Sequence, residues 1–196
     1  MSKIFYLMGK SASGKDRVYR ELLRCFSFEK IVLYTTRPMR QGETHGIQYY
    51  FTDKEKYKRL CEAGKVIEAR SYQTVHGEWI YYTVDDGTIH PEGNEQYLMI
   101  GTLESYAKMK EYFGEKMLVP IYLEVEDGLR LERALKREQQ ETNPRYQEMC
   151  RRYLADEEDF SEEKLQAAGI KRRFRNEQLE LCLKEIAEYI RGRMIP

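Results

Sequence analysis

Gly9-Lys10-Ser11-Ala12-Ser13-Gly14-Lys15 lies between a short apolar run, Lys3–Met8, and an amphipathic stretch, Lys15–Cys25, whose Val18, Leu22 and Leu23 share one face. The run reads as a strand, the small residues as a loop and the stretch as a helix. In that setting the pattern G-x-x-x-x-G-K is a phosphate cradle. Gly9 and Gly14 let the backbone curl with its N–H groups inward, the helix N-terminus adds partial positive charge, and Lys15 sets an ammonium against the outermost phosphates. Gly9, Lys10, Ser11, Ala12, Ser13, Gly14 and Lys15 are therefore candidate ligands of a triphosphate. The next residue departs from the usual pattern, because Asp16 stands where Ser or Thr generally offers a hydroxyl to magnesium. A carboxylate also suits that ion, which makes Asp16 a candidate Mg2+ ligand, although its charge opposes the phosphates.

Outward from the loop, apolar and helical segments alternate. Ile31–Tyr34 reads as a second strand, and the Gly-, Pro- and charge-rich Arg37–Gly46 reads as a loop. Thr52-x-x-Glu55 resembles a capping box that opens a helix with Tyr57, Leu60 and Cys61 on its apolar face and Gly64 past its end. Val66–Tyr72 and Trp79–Val84 are aromatic and β-branched strands of a small inserted α/β lobe. Tyr97–Ile100 and Leu118–Val125 are continuous apolar runs of the kind buried in parallel sheets, separated by a helix near Leu103–Tyr112. Leu129–Glu163 is charged and predicts an exposed helical pair. A last strand near Ile170–Phe174 precedes a helix over Leu179–Ile190. The alternation is that of an α/β protein.

Composition narrows the partners. The chain has 196 residues, enough for one domain with a small insertion, and its 33 Lys and Arg balance 33 Asp and Glu. No global positive field draws it to nucleic acid or to an anionic membrane, so small molecules are the expected partners. Ile4–Met8 is too short for a signal-peptide core and nothing approaches the roughly 18 apolar residues of a membrane span, which predicts a cytoplasmic protein. Cys25, Cys61, Cys150 and Cys182 form no C-x-x-C pair, and His45, His76 and His90 do not cluster at metal-ligand spacing.

A second constellation follows Ile31–Tyr34. Arg37 and Arg40 stand three apart beside Thr35 and Thr36, and each can give forked hydrogen bonds to a phosphate, with Tyr49 adding a hydroxyl. Here the sequence resembles the guanylate kinase family, whose signature T-T-R-x-x-R-x-G-E-x-x-G-x-x-Y-x-F is matched at Thr35, Thr36, Arg37, Arg40, Gly42, Glu43, Gly46, Tyr49 and Phe51. The resemblance implies a P-loop three-layer fold: a parallel sheet between helices, a core of about residues 1–34, 94–130 and 164–196, an acceptor-binding lobe of about 35–93 and a helical lid of about 131–163. It implies that Arg37, Arg40, Tyr49 and Tyr81 hold the acceptor's phosphate and that Glu68 and Thr83 face its base. A carboxylate accepts from the adjacent N–H and N–H2 of guanine, a donor pair that adenine lacks. It also implies that Arg137 and Arg152, with Arg151 adjacent, close over the donor phosphates, and that Asn176 lies near the donor's adenine.

Four further positions depart from the family. Leu33 replaces a serine that contacts guanine, Tyr82 interrupts the usual Tyr-Gly-Ser/Thr, and Met99 and Gly101 occupy the places of an acidic D-x-D pair. The activity implied is magnesium-assisted transfer of the γ-phosphoryl group of ATP to GMP, with Lys15, Arg37, Arg137 and Arg152 as the catalytic cations. A kinase for another phosphorylated acceptor and a non-catalytic binding module are the alternatives that the departures raise.

Overall fold

The computed structural model describes residues 1–74 and 77–194, so His76 and the final two residues fall outside the description. The chain runs β1 (Lys3–Gly9), α1 (Lys15–Cys25), β2 (Glu29–Lys30), β3 (Tyr34–Thr35), β4 (Tyr50–Phe51), α2 (Lys54–Glu62), β5 (Val66–Thr74) and β6 (Gly77–Val84). It continues through β7 (Gln96–Ile100), α3 (Leu103–Phe113), β8 (Leu118–Glu124), α4 (Asp127–Gln139), α5 (Tyr146–Asp159), α6 (Glu162–Ala167), β9 (Arg173–Arg175) and α7 (Leu179–Met194).

Two sheets result. The larger has the order β2-β7-β1-β8-β9 with every pairing parallel. Its central strand β1 is apolar without interruption because both faces are covered. Ile4, Tyr6 and Met8 face a cluster with Leu103, Tyr106 and Met109 of α3 and Leu165 of α6. Phe5 and Leu7 face the opposite cluster, with Val18 and Leu22 of α1 and Cys182, Ile186 and Ile190 of α7. This helix–sheet–helix sandwich is the α/β class expected from the alternation. The smaller sheet, β4-β3-β6-β5, mixes one parallel pairing with two antiparallel ones and packs Ile80, Tyr82 and Val84 against Tyr57 and Leu60 of α2.

Several local expectations shift. Ile31–Tyr34 is not one strand: β2 ends at Lys30 in the large sheet, β3 begins at Tyr34 in the small one, and the residues between carry the chain across. Leu33 is buried there as core, since apolar runs mark burial as readily as strands. The cap of α2 is Asp53, whose Oδ1 accepts from the Lys56 N–H at 2.7 Å. Thr52 does not cap because its hydroxyl donates to the Thr35 carbonyl at 3.1 Å and lies 2.7 Å from the Tyr82 hydroxyl. Cys61, placed on the apolar face, is exposed. The charged region from Leu129 forms α4 and α5, and then α6 as a third short helix. Ile170 is buried but precedes the last strand, which begins at Arg173.

Candidate active site

The loop after β1 brings its expected residues together. Gly9 leaves no room for a side chain, because a Cβ there would lie 2.6 Å from the Leu123 carbonyl oxygen. Gly14 opens α1 at φ 84° without a side-chain cap, and Ala12 takes a left-handed φ of 60° that closes the curl. Behind the loop, Asn176 is 4% exposed and its Nδ2 donates to the Ser13 carbonyl at 2.7 Å. The amide expected beside the donor's base thus braces the loop from behind.

The loop's donors are engaged by carboxylates of α5. The Ser11 N–H donates to Asp156 Oδ2 at 2.6 Å, and the Lys10 ammonium reaches Glu157 Oε2 at 2.5 Å. Lys15 curls onto its own loop, donating to the carbonyls of Gly9 at 2.5 Å and Lys10 at 2.9 Å. Desolvation in this enclosure lowers its pKa from 10.5 to about 8, against the opposing pull of Asp156 and Asp16. Asp16 itself is exposed at the start of α1. Among the described residues no group of three or more His, Cys, Asp or Glu side chains is gathered to hold a metal. Asp16 nonetheless offers a hard oxygen donor within electrostatic reach of Lys15, which fits a magnesium ion that takes most of its ligands from phosphate and water.

A residue that the sequence reading passed over organises α4 against α5. Arg130 is 1% exposed, its Nη2 donates to Glu157 Oε1 at 2.9 Å, and its guanidinium lies 4.6 Å from the Tyr153 ring centroid. Its Nε and Nη1 have no hydrogen-bond partner among the described residues. Arg137, by contrast, is exposed in the last turn of α4, and Arg152 donates to Glu148 Oε1 at 2.8 Å in a surface cluster with Arg151. The two expected lid arginines are not brought onto the loop in this conformation, although the Arg137 charge still acts on Lys15.

On the other lobe, Arg37 is 3% exposed and forks onto Glu43, with Nη1 to Oε2 at 3.0 Å and Nη2 to Oε1 at 2.7 Å. Its guanidinium lies 5.5 Å from the Tyr49 ring and 5.4 Å from the Phe51 ring, within cation–π range. Glu43 also accepts from the Arg40 backbone N–H at 2.7 Å, and these partners hold its carboxyl below the usual range. Arg40 is exposed at the rim. Tyr49 and Tyr81 meet edge to face at 5.5 Å beside Arg37. Burial raises the Tyr49 pKa; Arg37 and Arg70 pull it down, and Asp16 of the phosphate-loop helix pushes it up.

In the small sheet, Glu68 of β5 is 3% exposed and accepts from the Thr83 hydroxyl of β6 at 2.7 Å. Leu33 and Tyr82 are packing residues, and Tyr82 lies in the small sheet's cluster against Tyr57 at 4.9 Å. Met99 is fully buried, and Gly101 is fixed by Tyr6, because a Cβ at 101 would lie 2.0 Å from the Tyr6 hydroxyl oxygen. The space that a side chain at 101 would take is thus filled by Tyr6.

The Guanylate kinase family profile matches residues 1–192 of the chain. A guanylate kinase of Chromohalobacter salexigens is 38% identical over 76 residues, which is 38% of this chain and 35% of that protein. One of Coxiella burnetii is 25% identical over 146 residues, 72% of this chain and 67% of its own length. The chain spans between about a third and half of the length of the first curated relatives it matches. A crystal structure of guanylate kinase from Anaplasma phagocytophilum shares the fold, with a TM-score of 0.66 at 22% identity over all of this chain and 87% of that one.

Proposed function

Because the chain belongs to the guanylate kinase family, we propose that it transfers the γ-phosphoryl group of ATP to a nucleoside monophosphate, with GMP as the acceptor. The observation that carries this reading is the presence of two built cationic regions, the braced loop of Gly9–Lys15 and the Arg37 guanidinium forked onto Glu43 beside Tyr49. A chain that held one nucleotide would need one such region.

In this reading the loop of Gly9–Lys15 holds the triphosphate, Lys15 leaves its own carbonyls for the β- and γ-phosphates, and Arg37 and Arg40 with Tyr49 and Tyr81 hold the acceptor's phosphate. The acceptor phosphate is already a nucleophile near neutral pH, so catalysis rests on positioning two polyanions and on countering charge at the moving group. Mg2+ bound with ATP would neutralise the β- and γ-phosphates, and Asp16 would hold it directly or through water. Arg137 and Arg152 join the donor phosphates on closure of a lid of about residues 131–163 over a core that also carries the acceptor lobe of about residues 35–93, and closure excludes water. No described helix is long and apolar enough to cross a membrane, and the four unpaired thiols suit a reducing compartment, which supports a cytoplasmic location and small-molecule partners.

Release of ADP from ATP and magnesium tests the reading, with GMP, dGMP, AMP, CMP, UMP, a ribose bisphosphate and no acceptor compared. Release confined to GMP and dGMP is expected. Release with a different acceptor would move the substrate, and silence with all of them despite nucleotide binding would make the protein a binding module, as its Met99 and Gly101 would suit.

A further inference from the structure

Glu68 and Arg70 stand two apart on β5 and so project from the same face of the strand. They are paired there. Arg70 Nε donates to Glu68 Oε2 at 3.1 Å and Nη2 approaches Oε1 at 3.5 Å, with the Glu68 side chain fully buried and that of Arg70 8% exposed. Arg70 is anchored from its other end, since Nη1 donates at 3.0 Å to the hydroxyl of Thr102, the residue that caps α3. The guanidinium is therefore held between the small sheet and the core rather than drifting at the surface.

An ionised carboxylate has about four lone-pair directions. Thr83 takes one on Oε1, and the Arg70 fork lies along the edge where both oxygens can be reached together. Guanine, if read by Glu68 as the family resemblance implies, needs that same edge for its adjacent N1–H and N2–H. Arg70 and the base are thus alternative partners for one pair of oxygens. Uracil, which offers carbonyl oxygens beside a single N–H, has no comparable claim on the edge.

We infer that Arg70 is a specificity-determining residue that competes with the acceptor's base for the Glu68 carboxylate and so holds down the preference of this site for guanine. It acts through Glu68 rather than on the reacting phosphates. The inference rests on the acceptor reading of Glu68, and it predicts a gain on mutation.

Replacing Arg70 by leucine removes the fork while keeping an apolar stem, and leaves a buried carboxylate whose missing donors guanine can supply. Calorimetric titration of the full chain with GMP and with UMP reads the effect without requiring turnover. For Arg70→Leu, GMP affinity should rise about tenfold with UMP unchanged, and the rise should vanish when Glu68→Gln is added. Arg70→Lys, which keeps the charge but not the fork, should give a smaller gain of about threefold and stands in if the leucine variant does not fold. GMP affinity that is unchanged or lower in the folded variant, an equal rise for UMP, or a rise that persists with Glu68→Gln would overturn the inference. The two readings fail separately. GMP that binds more tightly to Arg70→Leu without ADP release from any form would remove phosphoryl transfer and keep Arg70, whereas transfer to GMP with no gain in binding would remove Arg70 alone.

Discussion

The phosphate loop and the Arg37 region both carry polar donors, and in both these are matched by carboxylates of the same chain. They differ in where those carboxylates come from. In the Arg37 region, Glu43 lies six residues from Arg37 and is held by the same turn. On the loop, Asp156 and Glu157 arrive from α5, 145 and 147 residues away from their partners Ser11 and Lys10. A carboxylate from the same turn cannot leave without undoing the turn, so Glu43 is part of the site's construction. A carboxylate on another helix leaves when the helix moves, so Asp156 and Glu157 would compete with a phosphate for Ser11 and Lys10. Pre-organisation and competition thus look alike in a static contact but predict mutations of opposite sign.

Removal of the loop's buried cation should have the largest effect. Lys15→Met should lower kcat by about 100- to 1,000-fold, the range for deleting one preorganised charge donor, while the melting temperature does not fall. ADP release and a thermal scan check both parts, and near-normal turnover would remove Lys15 from the chemistry. Next, Glu43→Gln should raise the acceptor KM about tenfold with little change in kcat, and cost about 2 kcal/mol of stability as the Arg37 fork loses its charge. The opposite sign is expected of Asp156→Asn, which should lower the ATP KM by about three- to tenfold by removing the competing charge from Ser11. If both variants shifted their KM in the same direction, the distinction between construction and competition would collapse.

The smallest effect is in pH. The Lys15 pKa falls from 10.5 in the unfolded chain to about 8 in the folded one, so between those values the unfolded chain binds the extra proton. Stability contributed by this group therefore rises with pH across that window. Thermal scans should show the wild type gaining on Lys15→Met between pH 8 and 10.5. Nucleotide phosphates favour the charged amine, so ATP affinity should weaken as pH rises above about 8.

Much of this comparison was visible before any coordinates because it is local. The glycines and lysine of the phosphate loop fall within one short segment after an apolar run, and Arg37, Arg40, Glu43 and Tyr49 fall within one turn and its exit. The carboxylates from α5 and the buried Arg130 were not visible, since nothing in the spacing of a charged helix says which of its acids meets a loop far away in sequence. Arg70 is intermediate. Its spacing from Glu68 on a strand was there to read, but pairing follows only when that face is known to be buried. The same distinction explains Thr52, a fair helix cap by local pattern that lost the role to Asp53 because tertiary partners claimed its hydroxyl.

Tyr6 and Gly101 make one further consequence concrete. With the hydroxyl oxygen 2.0 Å and the ring carbon Cζ 2.8 Å from where a Cβ at 101 would be, the two positions share one volume and cannot be varied independently. An aspartate restored at 101 collides with the ring, and a smaller residue at position 6 opens a hole in the core unless 101 grows to fill it. The two changes are therefore epistatic, each harmful alone and tolerable together, and any route between this chain's cleft and one with an acid at 101 crosses a less stable intermediate.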